Sequence, residues 1–101
     1  MYHLAEIQLR DYDYSIFVTE DAKKDIKRYC KKNAKARKIV EKKLEEIRHN
    51  PTAYGEPLGS DMKGKYSVHI DSSFVLVYSI DNEAREVRVL KYDTHDKAYG
   101  I

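Results

Sequence analysis

The hydrophobic period of this chain changes once, at Asn50-Pro51. Upstream, apolar residues recur every three or four positions; downstream they alternate with polar ones. These periods belong to helices and to half-buried strands, so one half supplies helices and the other a sheet. Downstream, Tyr66, Val68 and Ile70 alternate with Ser67, His69 and Asp71. Phe74, Leu76, Tyr78 and Ile80 alternate with Val75, Val77 and Ser79. Asp81-Asn82-Glu83 reads as a turn, and Val87 and Val89 alternate with Arg88 and Leu90 up to Tyr92. Three strands with short connections predict an antiparallel meander.

Upstream, Thr19 is a good N-cap, and Glu20 and Asp21 fall in the first turn, where the helix dipole favours acids. Ala22, Ile26, Tyr29 and Cys30 predict a first helix from Glu20 to Lys32, ending near Asn33. Ala36, Ile39, Val40, Leu44 and Ile47 form the stripe of a second helix. It stops at Asn50, because proline disfavours helical geometry in the residue before it. The short break predicts an antiparallel helical hairpin. Tyr14 to Val18, β-branched and aromatic, reads as a strand that joins the sheet. Met1 to Asp13 reads as a partial strand or an ordered arm around Leu4, Ile7 and Leu9, and Thr94 to Ile101 as a short tail with one helical turn. The expected class is α+β: an N-terminal strand and a helical hairpin packed on an antiparallel sheet of about four strands.

A chain of 101 residues holds one domain. With 36 % charged and 42 % hydrophobic residues it is neither a disordered tail nor a membrane span. No stretch approaches the ~20 apolar residues that a bilayer requires. Met1 to Arg10 contains Glu6 and no long apolar run, unlike a signal peptide. A single cysteine, Cys30, excludes an intramolecular disulfide framework and a Cys-cluster metal site, and a cytoplasmic protein is expected. The net charge of +2 is unevenly spread: Thr19 to Asn50 carries twelve Lys/Arg against six Asp/Glu. That asymmetry fits an acidic partner, either nucleic acid or a protein segment, and equally a solvated helical surface.

The order of elements, from about Tyr14 onward, resembles the RelE/ParE toxin superfamily. The phrases that carry the resemblance are Asn50-Pro51, Glu56-Pro57-Leu58, Met62-Lys63-Gly64-Lys65-Tyr66-Ser67-Val68-His69-Ile70, Phe74-Val75-Leu76-Val77-Tyr78 and Thr94-His95-Asp96-Lys97-Ala98-Tyr99-Gly100. Each is weak by itself; their order and spacing are specific. The tail is most similar to the YafQ-like branch. There a histidine is followed four residues later by an aromatic, and a second histidine sits on the first strand of the meander. His95, Tyr99 and His69 fill those positions. The gyrase-poisoning ParE branch typically lacks this tail. Two positions depart from the YafQ-like pattern. Glu56 stands where it has another histidine, although the related YoeB branch has a catalytic glutamate before the same Pro-Leu. Ser73 stands where it has an acid, with Asp71 two residues away.

The resemblance implies a toxin of a type II toxin–antitoxin system, an endoribonuclease that cuts messenger RNA on the ribosome and is silenced by an antitoxin. Metal-free cleavage needs a base for the ribose 2′-hydroxyl, an acid for the departing 5′-oxygen and cations for the phosphorus centre. His95 is the expected acid, since imidazole changes charge near neutrality. Glu56 or His69 is the expected base. Pro57 stiffens the loop behind Glu56. His69 points away from whatever Val68 and Ile70 pack against, and so lies on an open sheet face if the helices cover those two. Lys63, Lys65, Arg88 and Lys91 are candidates for holding phosphate. The resemblance favours Arg88, in the region of the third meander strand that the family uses for this role; it and Lys91 lie on opposite faces unless the strand bends or bulges. Tyr99 either stacks on an unpaired base or pins the tail. His3 and His49 have no evident partners, and no His-x-x-x-His spacing exists, so neither a metal nor another cofactor is expected. The expected partners are a cognate antitoxin, the ribosome and mRNA, with no membrane. The alternatives are a ParE-like gyrase inhibitor and a catalytically silent antitoxin-binding module.

Overall fold

The computed structural model describes residues 13–59, 64–71 and 73–98. In chain order the elements are β1 (Ser15–Val18), α1 (Glu20–Cys30), α2 (Ala34–His49), β2 (Glu56–Pro57), β3 (Lys65–Ile70), β4 (Phe74–Asp81), β5 (Glu86–Thr94) and α3 (His95–Ala98). The strands form one sheet in the order β1-β5-β4-β3-β2. The architecture is α+β as expected, but the sheet has five strands and is mixed. β1 runs parallel to β5, from Ser15 opposite Glu86 to Val18 opposite Val89. It occupies the outer side of β5, which the meander leaves open, and hands over at once to α1. Its Thr19 N–H still reaches the Val89 carbonyl at 3.0 Å. β2 is only a two-residue pairing, Glu56 with Ser67 and Pro57 with Tyr66. A strand so short carries no period, and its proline confines it to the sheet edge.

The helices end where local chemistry stops them. Thr19 caps α1 through its hydroxyl, which accepts the Ala22 N–H at 3.2 Å. The helix closes at Cys30, two residues before the expected end. Asn33 then caps α2, its side-chain oxygen accepting the Ala36 N–H at 3.0 Å. His49, without a partner in the sequence reading, has its Nδ1 2.9 Å from the buried Asp13 carboxylate and its Nε2 3.2 Å from Glu45. The rest of the expected N-terminal arm lies outside the described residues.

Both helices cover one face of the sheet. Ala22, Cys30, Ala36, Val40 and Ile47 meet Val68, Ile70, Leu76, Tyr78, Val87, Val89 and Tyr92 there. Val75 and Val77 face the other way, beneath Leu58, Leu90 and Ala98. The second face therefore has an apolar centre and polar ends. Two irregularities shape it. Val77 pairs with Lys91 but Tyr78 with Val89, so Leu90 is an extra residue, a bulge that resets the alternation of β5. Beyond Val89, β1 gives out and α1 takes over the edge, with the Asp25 carboxylate accepting the Tyr92 N–H at 3.5 Å.

Candidate functional site

Packing of Val68 and Ile70 against the helices leaves His69 exposed on the opposite face. His95 reaches it through the backbone: its N–H donates to the Ser73 carbonyl at 3.1 Å, tying the start of α3 to the turn that follows β3. The two imidazoles consequently stack, with centroids 6.1 Å apart and planes inclined by 20°. Glu56 enters from the edge. Its partner in register is Ser67, two residues before His69. Glu56, Ser67 and His69 line one pocket of ≈ 290 Å³, closed by Tyr54, Gly55 and Lys43 of α2.

Glu56 is held by its neighbours. The Tyr78 hydroxyl donates to the Pro51 carbonyl at 2.6 Å, fixing the loop that leads into β2. Gly55 lies against the same phenol, and a methyl group there would overlap the hydroxyl and lie 2.8 Å from Cζ. Burial, with Tyr66 stacked alongside, pushes the Tyr78 phenol up to about 12, so it remains a donor throughout the neutral range.

The sequence-derived candidates fall into four groups. In the first, His69 joins Glu56 and His95, stacking with His95 and sharing a pocket with Glu56. Lys65 and Arg88 occupy the other end of the same face, in one row across β3, β4 and β5 through Ser79. From His69 that row is about 13 Å along the strands, and Arg88 a further ~10 Å across them. The Arg88 guanidinium lies 4.8 Å over the Phe17 ring and pairs with Glu86 at 3.4 Å. Lys91 shares the parity of Arg88 because of the bulge, yet its Nζ turns to Asp25 of α1 at 3.5 Å and Asp93 at 3.7 Å. Lys63 and Tyr99 lie outside the described residues. Among the described residues, no three His, Cys, Asp or Glu side chains converge as a metal site would require. Nor is any helix long and apolar enough to cross a membrane.

Sequence reasoning missed Asp93. It is 3 % exposed and stands two residues before His95. Burial alone would raise its carboxyl. The Thr94 N–H at 2.8 Å, the Tyr29 hydroxyl at 2.9 Å and the charges of Lys91 and Lys97 more than offset this, holding it below the usual carboxylate value. Lys43 and Tyr54 were missed as well. Nothing in helical periodicity marks Lys43 among the other lysines, but an aromatic in the polar loop between Pro51 and Gly55 is a readable signal.

With this arrangement in view, residues 16–99 match the family described as the ParE toxin of the type II toxin–antitoxin system parDE. The chain belongs to that family, within the RelE/ParE superfamily. It is 40 % identical over 86 residues to an uncharacterised protein of Methanosarcina mazei, an alignment covering 85 % of this chain and 99 % of that one. It is 35 % identical over 86 residues to the putative toxin RelE4 of Methanocaldococcus jannaschii, covering 85 % and 90 %. The fold is similar to the YoeB–YefM complex of Staphylococcus aureus, with a TM-score of 0.70 at 26 % identity over 81 % of this chain and 97 % of that one. This is a type II toxin–antitoxin toxin by family, built on two long helices and a five-stranded mixed sheet.

Proposed function

We propose that this toxin is a metal-free endoribonuclease that cuts messenger RNA on the ribosome. The stacked pair His69–His95, with Glu56 in the pocket of His69, carries the reading. In-line cleavage needs a base on one side of the phosphorus and an acid on the other. His95 protonates the departing 5′-oxygen, and Glu56 or His69 takes the 2′-proton. Lys65 and Arg88 hold neighbouring phosphates, which positions the strand without reading it. The products are a 2′,3′-cyclic phosphate, or the 3′-phosphate derived from it, and a 5′-hydroxyl. A cognate antitoxin, an acidic segment that folds on binding, covers the basic hairpin and the sheet face when the toxin is idle.

The test is primer-extension mapping of a defined mRNA in reconstituted translation, with and without ribosomes, for wild type and His95→Ala. Cuts that require ribosomes, keep codon phase and fall by about 10²-fold or more in the variant are expected, the usual worth of a positioned acid. The family match to ParE toxins favours a second reading, gyrase inhibition. Unchanged mRNA together with inhibited DNA supercoiling would select it.

A further inference from the structure

We infer that Phe17 and Arg88 form a stacking platform for an unpaired base of the RNA strand, at the end of the sheet face away from the histidines; the choice of RNA as occupant rests on the endoribonuclease reading. Ile16 and Val18 pack into the core, so the ring between them points to the second face, where Phe17 remains 45 % exposed. One exposed aromatic is ordinary by itself. Here, however, the half-exposed Arg88 guanidinium lies over it at 4.8 Å, offering a π-face and a cation together. The register extends the motif across the sheet: Phe17 opposite Arg88, Arg88 opposite Ser79, Ser79 opposite Lys65. That row spans about 14 Å. It continues along β3 from Lys65 to His69, so one strand of RNA can occupy both ends.

Stacking on aromatics beside basic side chains is how proteins hold single strands without reading sequence. A second copy of this chain is disfavoured, since the row would meet its own positive charge. Glu86 is the local opponent: it lies 3.4 Å from the Arg88 guanidinium and must release it to a phosphate.

The chain contains no tryptophan, so Phe17→Trp installs a single indole reporter. The probes are single-stranded RNAs of about four to about sixteen nucleotides, the usual range of such sites. Their riboses are 2′-O-methylated so that they cannot be cut. Longer strands are expected to quench the indole, and duplexes of the same sequence to leave it unchanged. Phe17→Ala and Arg88→Ala each weaken binding of the longer strands about tenfold, while Glu86→Gln tightens it. An indole that does not respond, wild type that does not bind these strands, or Phe17→Ala with wild-type affinity overturns the platform. So does Phe17→Ala that binds RNA normally but fails to bind the cognate antitoxin, which would make the patch a protein contact. Ribosomal cleavage is scored in parallel. Normal cleavage with an unresponsive indole removes only the platform; length-dependent quenching without cleavage under any condition removes only the nuclease reading.

Discussion

Asp93 shows how a single buried charge shapes the end of the chain that carries His95. Its carboxylate is held by the Thr94 N–H and the Tyr29 hydroxyl, with Lys91 and Lys97 nearby. Its folded pKa lies below its unfolded one. The associated stability is therefore fully present above about pH 4 and lost as pH falls through the lower folded value. Thermal melts should show wild type weakening steeply in acid. Asp93→Asn should melt lower at neutral pH with a shallower acid decline, whereas parallel curves would contradict this. Gly55 acts through space rather than charge. Its lack of a side chain lets the Tyr78 hydroxyl reach Pro51, so Gly55→Ala forces the loop before Glu56 to shift. A cost of about 1–3 kcal/mol in urea unfolding is expected, as for other overpacked sites. An unchanged midpoint would show that the loop yields freely.

Among the elements, β5 has the most demanding position. It pairs with β4 along its length but with β1 only as far as Val89, and the freed edge falls to α1. Asp25 replaces the missing strand by accepting the Tyr92 N–H and pairing with Lys91. Asp25→Ala leaves that amide buried without its acceptor and should cost about 1–3 kcal/mol by urea titration. A loss below about 0.5 kcal/mol, typical of plain surface substitutions, would mean that the edge needs no such cover. The starts of α1 and α2, the end of α2 at Asn50 and the order of the meander were legible because periodicity and caps act locally; the end of α1, two residues early at Cys30, was not. The parallel seat of β1 and the bulge at Leu90 were not. Both are decided by pairing between residues some seventy positions apart or by one extra residue that leaves alternation looking intact. His69 was legible because its neighbours Val68 and Ile70 declare the buried face. The stacking of His95 on it depends on the backbone bond to Ser73, which no side-chain pattern announces.

Over the whole molecule, charge and shape separate. Lys31 to Lys43, spanning the hairpin turn and the start of α2, holds seven basic residues and one acid. The proposed chemistry lies around His69, His95 and Glu56, and of those seven basic residues Lys43 alone lines its pocket. A field of that kind speeds encounter with polyanions and weakens with salt. The same seven basic residues were visible in the sequence, but whether they shared a face with the histidines was not. The proposed division assigns the hairpin as far as Lys42 to large anionic partners, and Lys43 with the sheet face to the substrate.

The nature of the cut ends tests the central proposal most directly. Messenger RNA fragments recovered from toxin-treated ribosomes can be analysed by mass spectrometry for both termini. A 2′,3′-cyclic phosphate or 3′-phosphate facing a 5′-hydroxyl, with fragments lost in His95→Ala, is the predicted result. Fragments ending in a 3′-hydroxyl and a 5′-phosphate, or wild-type yields from His95→Ala, would contradict it.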